Sequence, residues 1–153
     1  MSYKKIKEID EQSLKNYRFT RLFGMTARHI ENYIYKLLQP YGLGFEQTGM
    51  LFLLSCRKDL QLNDIVKEGL KDKTTISRAI SSLEKKGFIT KTHSHRDKRI
   101  VCINITQEGK DKLQELTDST IFSEAESIFT NALTTEEQEI FKQCLTKILK
   151  GML

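Results

Sequence analysis

Apolar residues recur at helical spacing along most of this chain and alternate at strand spacing in one short region. Leu14, Tyr17, Leu22, Met25, Ile30, Tyr33, Ile34 and Leu37 predict a long first helix over about residues 11–38. The only proline, Pro40, and the glycines Gly42 and Gly44 mark the loop that ends it. A second helix over about 46–57 is nearly all apolar from Met50 to Leu54, which places it centrally. Leu62, Ile65, Val66 and Leu70 form a short periodic segment, and Lys71-Asp72-Lys73 leads from it into a helix over 74–86 that Gly87 stops. Two alternating segments follow, 88–92 and 100–105, joined by a tip at 93–99. Thr106 then caps a long helix carrying Leu113, Leu116, Ile121, Ala125, Ile128 and Phe129. Thr134 with Glu137 forms a capping box that opens a last helix over 135–149. Helix, turn, helix and hairpin in that order predict a winged helix-turn-helix in a mainly α chain with one small β-hairpin.

The helix over 74–86 has two unlike faces. Ile76, Ala79, Ile80 and Leu83 fall together as a core-facing stripe. Opposite them lie Thr74, Arg78, Ser81 and Lys85, flanked near the start by Thr75 and Ser77; Glu84 is the only acid inside. Short hydrogen-bonding groups and an arginine are what base edges in a major groove require, and Lys73 at the helix start suits a phosphate. Asp72 is the expected N-cap. A solvated polar face is the alternative reading. In the second strand Val101, Ile103 and Ile105 share one face, and Ile100, Cys102 and Asn104 the other. The tip sets Arg96, Lys98 and Arg99 against Asp97, a cationic finger of the kind that reaches a minor groove. A solvated turn is its alternative.

Four runs carry a family resemblance: Asp72-Lys73-Thr74-Thr75-Ile76-Ser77-Arg78, Leu83-Glu84-Lys85-Lys86-Gly87-Phe88-Ile89, Asp97-Lys98-Arg99 and Ile105-Thr106-Gln107-Glu108-Gly109. Together they resemble the MarR family (multiple antibiotic resistance regulators), with the Asp-x-Arg wing and the Ile-Thr-x-x-Gly helix start as the specific parts. Gly42-Leu43 with Gln47 before Met50-Leu51, and Leu133 to Glu137, extend the likeness over nearly the whole chain. The resemblance implies a homodimer whose terminal helices intertwine and whose two reading heads face an inverted-repeat operator in double-stranded DNA. It also implies that Asp97 and Arg99 pair to shape the wing, with Arg99, or second Arg96, in the minor groove. The expected organisation is one domain over 1–153, with a DNA-binding lobe at 45–105 and a helical dimerisation region at 1–40 and 106–153. The long first helix and the last two bear broad apolar stripes that need a partner, which agrees with a dimer.

Charge distribution supports a separate reading head. The net charge is +5, and residues 57–99 hold 12 Lys and Arg against 6 Asp and Glu. Residues 106–153 hold 5 against 9. Such polarity is the footprint of a nucleic-acid binder with a non-binding end. At 153 residues the chain is long enough for its own core. It has no apolar run near 18 residues, so no membrane span is expected, and the lysines of its first residues lead into no apolar stretch. These features point to the cytoplasm. Three widely spaced cysteines argue against a disulfide framework.

Catalytic chemistry finds little support. No Gly-rich phosphate loop, nucleophile elbow or paired-acid signature is present, and neither a catalytic residue nor a cofactor is expected. His93 and His95 with Asp97 form a conceivable metal trio at the tip, but exposed loop histidines are more often solvated. Some members of the resembled family bind zinc near the first two helices; here only His29 and Glu46 lie there, so no metal is expected. Redox-sensing relatives keep a cysteine near the start of the first helix, which this chain lacks. Cys56 and Cys144 read as core hydrophobes and Cys102 as the accessible thiol. A small-molecule effector in a cleft between the dimer helices and the reading head is the better expectation, with His29, Tyr33, Phe45 and Phe52 as candidate lining residues or plain packing residues. The reading is therefore a repressor of transcription relieved by a small ligand. The alternative is a winged-helix protein-interaction module that never touches DNA, against which the cationic face of 74–85 argues, since a docking face favours exposed aromatics.

Overall fold

Helix α1 (Glu11–Lys15) ends where the sequence pattern predicts no break. In the structure, a computed structural model describing residues 11–68, 72–94 and 97–152, the amides of Asn16 and Tyr17 turn back onto the carbonyls of Ser13 and Leu14. Arg18 is extended (φ −64°, ψ 147°) and starts α2 (Phe19–Leu38), with Arg21 stacked 4.2 Å over the Tyr17 ring. A 3-10 turn over Gln39–Tyr41 closes α2, and Gly42 follows it in the left-handed region (φ 69°), where a side chain would be strained. Leu70 and Lys71 of the expected turn, and His95 and Arg96 of the tip, lie outside the described residues.

Five elements then follow in order: α3 (Phe45–Cys56), α4 (Leu62–Lys67), α5 (Lys73–Lys85), β1 (Ile89–His93) and β2 (Val101–Ile105). The two strands are antiparallel, with Ile89 opposite Ile105 and His93 opposite Val101. Leu60 adds a single bridge to Ile103, a fragment of a third strand. Helix α6 (Gln107–Asp118) is capped by Thr106, as expected. The long helix predicted after it stops at Ser119, which is extended; its hydroxyl donates to the Leu116 carbonyl (2.6 Å) and accepts from the Ile121 amide (3.3 Å). Local bonds of this kind compete with helix continuation. Helices α7 (Ile121–Thr130) and α8 (Thr135–Met152) complete the fold. The Thr134 hydroxyl caps the Glu137 amide while the Glu137 carboxylate accepts from the Thr134 amide at 2.8 Å.

One core serves the whole arrangement. Met50, Leu51, Ile65, Ile76, Leu83 and Leu116 are fully buried, and the cluster runs from Leu38 and Leu43 to Leu113 and Ile121. All four residues of the expected α5 stripe lie in it. No residue of α8 is buried. Phe19 and Phe23 on α2 and Ile140, Ile148, Leu149 and Met152 on α8 remain exposed, while Phe141 meets Phe129 of α7 at 6.3 Å between ring centres.

The cysteines depart from expectation. Cys102 is buried, because the middle of β2 is covered on both faces, whereas Cys56 at the end of α3 and Cys144 on α8 are exposed. Alternation along a strand separates two faces but does not say that only one is covered.

Candidate nucleic-acid interface

Asp72 fixes where α5 begins. Its Oδ1 accepts from the amides of Thr74 (2.9 Å) and Thr75 (3.0 Å), and its Oδ2 accepts from the Thr75 hydroxyl (2.7 Å). The Thr75 hydroxyl, then the Thr75 amide, hold the Asp72 carboxyl below the usual aspartate range. Thr75 is half-buried and its hydroxyl is taken up by the cap, so its side chain serves the helix start. Lys73, Thr74, Ser77, Arg78, Ser81 and Lys85 are all exposed along one side of the helix. Ser77, Arg78, Ser81 and Lys85 border a shallow groove of about 300 Å³. Glu84, the acid inside α5, is paired with Lys91 of β1 at 2.6 Å, which ties helix to hairpin.

The hairpin tip is closed by backbone bonds. The Ser94 amide donates to the Ile100 carbonyl (2.9 Å) and the Ile100 amide to the Asp97 carbonyl (3.0 Å). Asp97 Oδ1 accepts from the backbone N–H of Arg99 at 2.9 Å. The expected partnership of these two residues is therefore made through the backbone, and among the described residues no ion pair joins their side chains. A carboxylate two positions before an amide closes an Asx-type turn more readily than it reaches along the strand. Asp97, Lys98 and Arg99 are exposed.

A larger cleft, about 530 Å³, opens beside α5 where the 39–44 turn and the start of α3 pack against it. Tyr35, Gln39, Gln47, Thr75, Arg78 and Lys86 are among its lining residues. Lys86 Nζ donates to the Gly42 carbonyl (2.5 Å) and to Gln47 Oε1 (3.2 Å), joining the end of α5 to that turn and to the first turn of α3. None of the four proposed effector residues lines it: His29 is exposed on α2, Tyr33 half-buried, and Phe45 and Phe52 are exposed, Phe52 lying edge-on to Phe122 at 5.4 Å. The two glycines around Leu43 were the available signal, since they let the loop turn back onto α5.

Among the described residues, no helix is long and apolar enough to cross a membrane. No three His, Cys, Asp or Glu residues among them are placed to share a metal ion.

The family model described as transcriptional regulator SarA/Rot matches residues 32–116, from the second half of α2 through most of α6. The transcriptional regulator SarZ of Staphylococcus epidermidis is 29% identical over 131 residues, covering 84% of this chain and 83% of that protein. The transcriptional regulator PapX of Escherichia coli is 30% identical over 126 residues, covering 80% and 74%. Among solved structures, the S. aureus MepR–DNA complex superposes with a TM-score of 0.77 at 28% identity, over 88% of this chain and 98% of that one. A mutant MarR from E. coli complexed with operator DNA gives 0.78 at 21% identity over 85% and 92%, a likeness of fold.

Proposed function

Since this chain belongs to the SarA/Rot family of transcriptional regulators and has a MarR-type winged-helix fold, we propose that it binds double-stranded DNA as a homodimer and represses transcription until a small molecule relieves it. The observation that carries the reading is the α5 face: Ser77, Arg78, Ser81 and Lys85 are exposed on a capped helix whose opposite stripe is buried. Beside it stands a hairpin with Lys98 and Arg99 exposed at its tip. A helix of this kind suits a major groove, and a cationic finger suits the minor groove next to it. MepR and MarR, which share the fold, have been solved with DNA. Lys73 and Thr74 at the helix start fit phosphate contacts, and Thr75 contributes by holding Asp72.

Dimerisation follows from the apolar residues that one protomer leaves uncovered on α2 and α8. Each pairs with a second copy, so that two reading heads meet two half-sites. The lobe at 45–105 is then the reading head, and 1–40 with 106–153 the dimerisation region. Effector relief is assigned to the cleft beside Arg78, because a ligand seated there competes with DNA for that side chain.

Electrophoretic shift against genomic fragments, with Arg78→Ala in parallel, tests the reading. Wild type retards a subset of fragments, and Arg78→Ala loses about 1–3 kcal/mol of binding together with base preference at one position per half-site. Retention of no fragment would favour a protein-interaction module, and an equal loss on specific and random DNA would remove Arg78 from base reading.

A further inference from the structure

Asp59 is the only non-glycine residue among those described with a left-handed backbone, φ 55°. Asp and Asn tolerate that region best, usually because the short polar side chain bonds nearby backbone. Here it bonds far away. The Asp59 amide donates to Asn104 Oδ1 at 2.8 Å, and Asn104 Nδ2 donates back to Asp59 Oδ1 at 2.9 Å, across 45 positions of sequence. Beside this pair the Ile103 amide donates to the Leu60 carbonyl at 2.7 Å. A left-handed Asp59 thus turns the loop after α3 so that two successive residues grip β2, Asp59 by its amide and carboxylate and Leu60 by its carbonyl.

The grip falls at the root of the wing. Asn104 lies opposite Thr90, one pair from the end of the hairpin. A two-stranded hairpin alone is marginal in water, so its orientation depends on what holds its base. The Glu84–Lys91 ion pair is partly exposed and screened by salt. The tip at Arg99 stands five residues beyond Asn104, about 17 Å along an extended strand. A tilt of about ten degrees at the root therefore displaces the tip by roughly 3 Å, the length of a hydrogen bond.

We propose that Asp59 and Asn104 are positioning residues for the wing: their reciprocal pair sets the hairpin's angle to α5, and so decides whether helix and tip cations engage DNA together. The inference rests on the DNA-binding reading above. Its chemistry allows an exchange test. Asn104→Asp keeps an acceptor for the Asp59 amide but removes the Nδ2 donor and sets two carboxylates face to face. Adding Asp59→Asn returns a donor from the loop side, restores both bonds and leaves the pair with the single negative charge it had. Asn also accepts the left-handed backbone.

Wild type, D59N, N104D and the double variant are compared in two measurements. Amide hydrogen exchange in β1 and β2 is followed without DNA, and anisotropy titrations use a duplex that wild type selects from a random library, at several salt concentrations. N104D is expected to exchange faster in the wing, to bind about tenfold more weakly, and to lose about 0.9 from the salt slope for each tip cation withdrawn. Its helical dichroism and the base preference that depends on Arg78 stay as in wild type. The double variant recovers exchange, affinity and slope. N104D behaving as wild type, or a double variant no better than N104D, overturns the proposal. If N104D does not fold, Asn104→Ala removes the same bonds without adding charge and is expected to show the same losses. If wild type selects no duplex, the DNA-binding reading fails by itself, and the exchange measurement still decides whether the pair holds the wing.

Discussion

A Cβ added to Gly109 would stand 2.1 Å from the carbonyl oxygen of Phe88. That oxygen already accepts from the Thr106 amide at 3.0 Å, and the Thr106 hydroxyl donates to the Gly87 carbonyl at 2.6 Å while accepting from the Gly109 amide at 3.1 Å. The start of α6 is therefore pressed against the turn between α5 and β1, with backbone on both sides of the contact. This gives the glycine of the Ile-Thr-x-x-Gly run its physical reason.

Gly109→Ala has two opposed effects. Helix propensity favours alanine by about 1 kcal/mol. Overpacking against a backbone oxygen that is itself hydrogen-bonded costs about 1–3 kcal/mol or more, because the nearest obstacle is backbone and moving the Ile105 side chain, which is also in the way, does not clear it. The variant is expected to unfold at lower urea with an unchanged slope. A higher midpoint would show that α6 shifts freely.

The Asp72 cap predicts a pH dependence with a definite sign. The folded carboxyl lies below its ordinary value because the Thr75 hydroxyl, the Thr75 amide and the Thr74 amide favour its charged form. A depressed acid contributes stability that is fully present above the unfolded pKa of about 3.9 and is lost as pH falls through the folded value. Asp72→Asn keeps a capping acceptor without the charge. Its melting temperature should lie below wild type at neutral pH and converge with it as the solution is acidified below pH ~4. A constant gap across that range would mean that the charge contributes nothing to the cap.

The elements that local chemistry specifies were legible before any coordinates. Asp72, Thr106 and the Thr134–Glu137 box mark helix starts because a side-chain oxygen meets an amide two or three residues on, a contact visible at short range. Gly87 ends α5 with φ 74° for a similarly local reason. The breaks at Asn16 and Ser119 were not legible, since apolar spacing continues across both and only the hydroxyl of Ser119 tips the balance at the second. Contacts between distant segments were out of reach: the Asp59–Asn104 pair and the Lys86 contact with Gly42 depend on how the 39–44 and 57–60 segments fold back. Of the candidate interface, the polar face of α5 was read residue by residue, but the capping role of the Thr75 hydroxyl emerged only from its geometry.

The exposed stripe on α8 predicts how the proposed dimer fails. Ile148 is 57% exposed and Phe19 on α2 is 90% exposed in one protomer, although both are large and apolar. Burial of such a side chain is worth about 1.5–3 kcal/mol, and a charge in its place removes that and adds a desolvation cost. Ile148→Asp should weaken self-association by more than about tenfold in sedimentation equilibrium. It should also abolish two-headed binding to an inverted repeat whose half-site centres lie about 10–11 base pairs apart, leaving only the weak binding of a single head to one half-site. Sedimentation identical to wild type would place Ile148 outside the dimer interface.

The wing offers a test of how Asp97 acts. Its carboxylate accepts from the Arg99 backbone amide, a bond that survives loss of the guanidinium. Arg99→Ala should therefore remove a DNA contact while leaving the turn closed, weakening binding strongly and flattening the log K against log salt slope by about 0.9. Asp97→Ala should loosen the turn and weaken binding less, with little change in slope, because no cation is removed. The two losses should add in the double variant to within about 0.3–0.5 kcal/mol, as independent effects do. A side-chain ion pair between these residues would instead couple them by about 0.5–3 kcal/mol, since either substitution alone would already break it. Near-zero coupling with a flattened slope assigns Asp97 to the turn and Arg99 to the groove. Strong coupling assigns both to one ion pair formed on DNA, and wild-type affinity in the double variant leaves the tip without a part in binding.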